Sequence, residues 1–250
     1  LVQTSCTKDE KAYPQETEVK SSVFKAAGDK AAINTKLDEF RAVLGGPVNT
    51  APGNTTGRRE INWDGVPADF TNNVNFPPDF FNLKDPQGAN GRKRGLEYIN
   101  NGAMLRLDSS NFSEIDPSYA DEFIPFSNKK SIISAGSVIS ELRFKVAGTN
   151  TDAYVKGFGV VFLDVDDVNS TSIEFFNGSR RLGVFKAPAG NALGGFSFLG
   201  VYFPDEEVTR VKFISGNGVL VPGLKDISDG GTLDLVTFDD VLYDEPKMTK

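Results

Sequence analysis

Two stretches of this 250-residue chain, 158–165 and 196–203, are apolar at nearly every position, interrupted by Gly, Ser and a single Asp. Side chains of a strand alternate between faces, so a strand apolar on both must be covered on both. That requirement predicts two central strands of a layered β structure. The neighbouring text agrees. In Thr209-Arg210-Val211-Lys212-Phe213 the apolar and basic residues alternate, as a half-buried strand demands.

The first of the two apolar stretches overlaps a strand predicted over 155–164, and the alternating segment lies in one over 209–215. Further strands are predicted at 59–63, 95–99, 103–107, 122–126, 137–146, 172–176, 182–186 and 233–243. Asn177-Gly178 and Asn217-Gly218 supply tight turns between them. One helix is predicted over 36–44. Leu37, Phe40, Val43 and Leu44 fall at helical spacing, Asn34 or Thr35 can cap the start, and Gly45 suits the end. The expected organisation is a flexible spacer over 1–30, a helix and loop over 31–57, and a sandwich over 58–250. The fold class expected is all-β, a β-sandwich of jelly-roll type with one short N-terminal helix. A Pro- and Asn-rich loop over 67–92, carrying Phe76, Phe80 and Phe81, is expected to pack over a sheet edge.

Composition removes whole classes of chemistry. The chain has no histidine, which excludes Ser-His-Asp and Cys-His nucleophile systems and histidine-ligated zinc or iron centres. A formal net charge of −7 with no concentrated basic block excludes a nucleic-acid footprint. Cys6 is the single cysteine, so no internal disulfide forms.

The opening Leu1-Val2-Gln3-Thr4-Ser5-Cys6 resembles the end of a bacterial lipoprotein signal peptide, in which the cysteine becomes the acylated first residue. The resemblance implies lipidation at Cys6 and an extracytoplasmic, lipid-anchored protein. The charged run after Cys6 resembles the signal that sends some lipoproteins to the outer membrane surface. Lipid is then the expected membrane contact, because no apolar run reaches the length of a spanning helix.

Acidic clusters are the places where chemistry is expected. Asp164-Val165-Asp166-Asp167-Val168-Asn169 offers closely spaced oxygen ligands for a hard cation such as calcium, although it fails the EF-hand template at Val168, Asn169 and Glu174. Glu60 and Asp64 flank Trp63, and Asp239-Asp240 lies in the last strand. The block Arg58-Arg59-Glu60-Ile61-Asn62-Trp63-Asp64-Gly65 and the C-terminal Asp239-Asp240-Val241-Leu242-Tyr243-Asp244-Glu245-Pro246 resemble an uncharacterised family of secreted bacterial proteins. The last strand also resembles that of jelly-roll carbohydrate-binding modules. In many of those an acidic residue on the last strand and one on the first share a structural calcium, which implies Asp239 or Asp240 with Glu60 or Asp64.

Trp63 is the expected sugar-stacking residue, and Arg58, Arg59, Arg92 and Arg94 are the expected clamps for carboxylates of an acidic glycan. These features point to a non-catalytic binding module for a glycan or other cell-surface partner. Two other classes stand beside it. A two-carboxylate carbohydrate-active enzyme would draw on Asp164, Asp166, Glu174 and Asp239, and an envelope assembly protein would meet other proteins.

Overall fold

The computed structural model describes residues 19–99, 102–190 and 193–249. Two antiparallel seven-stranded sheets face each other as a jelly-roll-like β-sandwich. The first sheet runs β1 (Ser22–Gly28), β11 (Phe196–Tyr202), β8 (Gly157–Leu163), β13 (Thr237–Asp244), β5 (Ser131–Ala135) and β4 (Met104–Asp108), with β2 (Arg58–Ile61) added to β13. The second runs β10 (Arg180–Lys186), β9 (Ser172–Asn177), β12 (Arg210–Ile214), β6 (Ile139–Lys145), β7 (Asp152–Tyr154) and β14 (Lys247–Met248), with β3 (Leu96–Tyr98) paired to β6.

The two apolar stretches are β8 and β11, hydrogen-bonded to each other from Phe196–Leu163 to Tyr202–Gly157. Their alternation is visible in the packing. Phe158, Val160, Phe162, Leu199 and Val201 join the core between the sheets, where Phe144, Phe175, Val211 and Phe213 of the second sheet meet them. Val161, Leu163, Phe196 and Phe198 point the other way and are covered by Ile33, Leu37, Phe40 and Leu44 of helix α1 (Lys30–Leu44). Gly159 and Gly200 make room for that helix. A Cβ on Gly159 would stand 2.9 Å from the Phe40 ring, and one on Gly200 3.0 Å from it.

The structure differs from the expected pattern at the N-terminal side and in two strands. The spacer expected over 1–30 does not extend that far, because Ser22–Gly28 is an edge strand paired along its whole length with β11. Helix α1 starts earlier than expected, with Asp29 as its N-cap accepting from the Ala32 N–H at 2.9 Å. Residues 122–126 form no strand, since Phe123 and Phe126 leave in different directions for two separate apolar clusters. The strand instead comes at Ser131–Ala135, unnoticed because two of its residues are buried serines, one of which, Ser134, shares a hydrogen bond of 2.7 Å with Ser140. Asn177-Gly178 is the expected tight turn, joining β9 to β10 with Gly178 at φ 57°.

Candidate functional site

Between β2 and β3 the chain makes the Phe-rich excursion, and its aromatic rings pack inward. Phe76, Phe80 and Phe81 are buried in the main core, with Phe80 and Phe81 edge to face at 5.0 Å. Trp63 follows β2 in a left-handed conformation, φ 58°, and lies edge-on to Phe238 at 6.0 Å and to Phe81 at 6.5 Å. It is 1 % exposed, so its ring is a wall and not an open platform, and its Nε1–H meets no partner among the described residues.

Over this aromatic floor lies a cavity of about 400 Å³, within the usual range for small-ligand sites. Glu60, Asn62, Trp63, Phe80, Arg92 and Arg94 are among its lining residues. The Arg92 guanidinium sits 4.0 Å above the Phe80 ring centre, and its Nε–H donates to the Phe80 carbonyl at 3.3 Å. Arg94 is held by two carbonyls, donating from Nη1 to Glu60 at 2.6 Å and from Nε to Gly91 at 2.8 Å. Among the described residues neither arginine has a carboxylate partner, and burial holds Arg94 below the usual arginine range.

The other two arginines of the sequence prediction are committed elsewhere. Arg59 is fully buried and makes a bidentate pair with Glu245, so it is not open to a ligand. Arg58 donates to Glu60 at 2.7 Å and to the Gly45 carbonyl at 3.1 Å. Glu60 also receives both Nε and Nη2 of Arg41. Burial alone would push its carboxyl up, but the two guanidinium groups outweigh that and hold it below the usual range.

Of the acids that the resemblance implies for calcium, Asp239 and Asp64 accept hydrogen bonds from the chain and Glu60 pairs with arginines. Asp239 is buried and accepts from the Ser127 N–H and hydroxyl, both at 2.9 Å, while Asp64 accepts from the Lys129 N–H at 3.0 Å. A β-bulge between Asp239 and Val241 breaks the simple alternation expected there. Burial, then Asp240 beside it, pushes the Asp239 carboxyl well up, and burial pushes Asp240 to about 6. Glu60, Asp64, Asp239 and Asp240 do not converge as a three-carboxylate set.

Asp164 and Asp166 do converge, with a partner from far along the chain. Asp164 directly follows β8 in a left-handed conformation, φ 63°, and Asp166 comes two residues on. Asp226, buried in the long excursion between β12 and β13, places a carboxylate oxygen within 4.8 Å of one from each. Burial, then the charges of Asp166 and Asp226, push Asp164 to about 8. Burial, then the bond to and charge of Asp226, push Asp166 to about 7. Nearby Glu122 also rises to about 7, by burial and then the charge of Asp226. Asp234 frames the turn, accepting the Asp166 and Asp167 N–H groups at 3.2 and 3.0 Å and the Ser170 hydroxyl. Sequence reasoning missed Asp226, Glu122 and Asp234, since nothing in their local text links them to residues 164–170. Glu174 lies apart on β9, paired with Arg181 and Lys212. Cys6 lies outside the described residues.

No protein-family model matches the chain, and no curated protein matches it. Among solved structures, a mutant of CBM29-2, from work on ligand recognition by family 29 carbohydrate-binding modules, is similar over 76 % of this chain and 92 % of that one. The identity is 12 % and the TM-score 0.28.

Proposed function

We propose that this chain is a non-catalytic, extracytoplasmic binding module, tethered to a membrane through lipid on Cys6, that takes an acidic glycan in the cavity walled by Trp63, Arg92 and Arg94. One observation carries the reading: two arginines without carboxylate partners among the described residues border an aromatic-floored cavity of about 400 Å³. Apolar walls suit the C–H faces of a sugar ring. Guanidinium groups suit its carboxylates, which they can hold in a planar, two-bond geometry. Both arginines are pre-positioned by backbone carbonyls, so less side-chain freedom is lost when a ligand docks.

Hydrolysis is the weaker reading for this cavity. Glycoside cleavage with two carboxylates needs one as an acid and one as a base or nucleophile. Glu60 is the single carboxylate among the lining residues, and it is kept ionised by Arg41 and Arg58. The tether rests on the sequence around Cys6, and no helix among the described residues is long and apolar enough to cross a membrane.

Affinity electrophoresis against a panel of neutral and uronate-containing polysaccharides tests the binding. Retardation by uronate polymers, weakened by Arg92→Ala and Arg94→Ala, is the expected result. Migration unchanged in every polymer would overturn the glycan reading. Incorporation of labelled fatty acid that disappears in Cys6→Ser tests the tether.

A further inference from the structure

We propose that Asp164, Asp166 and Asp226 bind a calcium ion that ties the end of β8 to the excursion between β12 and β13. The site is separate from the glycan cavity, and the proposal does not depend on it. Three carboxylate oxygens that all lie within 4.8 Å of one another match the shell of a cation coordinated at about 2.4 Å, whose opposite ligands stand about 4.8 Å apart.

Acidic residues gather on many surfaces without an ion, so the burial and the missing partners decide the matter. Asp164 is 1 % exposed; its Oδ1 accepts the Gly194 N–H at 3.0 Å, while its Oδ2 has no donor among the described residues. Among the described residues, Oδ2 of Asp166 and Oε2 of neighbouring Glu122, itself 2 % exposed, also lack donors. A buried carboxylate oxygen without a donor or cation is costly, and here three of them share one neighbourhood. No lysine or arginine forms an ion pair with any of the four acids among the described residues. Lys225, which lies near Glu122, is paired with Asp229 at 2.9 Å. A divalent cation supplies the missing positive charge and a partner for the unpaired oxygens of Asp164 and Asp166 in a single step.

The surrounding backbone is built to hold the acids in place. Asp226 is fixed by the Leu235 and Ser228 N–H groups, at 2.5 and 2.7 Å. Gly194, at φ 66°, is packed so closely that a Cβ would stand 2.8 Å from the Asp121 carbonyl. The all-oxygen donor set selects calcium, magnesium or manganese over zinc or copper. Irregular loop positions, with no octahedral frame imposed by regular structure, favour the larger and geometrically tolerant calcium.

Calorimetric titration and thermal melts of the whole chain, after EDTA treatment and dialysis, provide the test. Calcium should bind at one site per chain, and a concentration about 100-fold above Kd should raise Tm by roughly 5–10 °C. Magnesium at the same concentration should do clearly less. Asp166→Asn should weaken calcium binding at least tenfold, yet melt no lower than the wild type in EDTA, because it removes a like charge. Glu174→Gln, on the other sheet, should keep the full calcium response. The site is overturned if calcium neither binds nor shifts Tm, or if Asp166→Asn retains the full shift. An equal shift with magnesium would overturn the choice of calcium.

Discussion

Arg59 and Glu245 form a buried bidentate ion pair, 2.7 Å from Nε to Oε2 and 2.6 Å from Nη2 to Oε1, that joins the first strand after the helix to the residue after β13. Around it β2 pairs with β13 from Val241–Ile61 to Asp244–Arg58, and Asn49 donates to the same Glu245 oxygen at 2.8 Å. The two sequence blocks that stand out in the chain are therefore a single structural unit. Breaking the pair from one side leaves a buried charge. Glu245→Ala should lower unfolding stability by about 3–5 kcal/mol, whereas Arg59→Met with Glu245→Leu should recover most of it, as urea denaturation will show.

The seat of helix α1 depends on two glycines facing Phe40. With a Cβ at position 159 only 2.9 Å from that ring and 3.0 Å from Phe198, Gly159→Ala should cost about 1–3 kcal/mol. Combining it with Phe40→Leu should restore part of the loss if the clash with Phe40 is the cause. A double-mutant cycle on denaturation midpoints measures that coupling.

Asp244 gives a signed pH dependence. Burial raises its carboxyl from an ordinary 3.8 to about 6, against the Lys156 and Gly157 N–H groups that both donate to its Oδ1. The folded state thus holds this proton at a higher pH than the unfolded chain does. Its contribution to stability is full below about pH 4, falls as pH rises towards 6, and stays lost above. Asp244→Asn keeps an oxygen for both donors and removes the titration. The variant should match the wild type near pH 4 and exceed it by on the order of 2–3 kcal/mol at pH 7, in denaturation curves taken across that range.

How much of this was legible in the sequence follows from how local each cause is. The strands β8 and β11 announce themselves, because double-sided cover leaves no polar position for the eye to miss. The edge strand β1 does not, since its seven residues are mostly small and none is fully buried, and only pairing with β11 organises it. Asp164 and Asp166 were visible as a pair of oxygen donors. Their third partner, Asp226, arrives from the far end of an excursion whose path no local pattern encodes. Arg92 and Arg94 were visible as a basic turn, and Trp63 as the single tryptophan. That these three share a cavity, while Arg59 is sealed inside, is decided by the register of β2 on β13.

Trp63 also provides the most direct test of the proposed binding function, because it is the single tryptophan and lines the cavity itself. Its fluorescence should change saturably as an oligouronate is titrated in, remain flat with a neutral oligosaccharide of equal length, and respond at least tenfold more weakly in Arg92→Ala/Arg94→Ala. A flat Trp63 signal with the oligouronate, or an undiminished response in that double variant, would contradict the account.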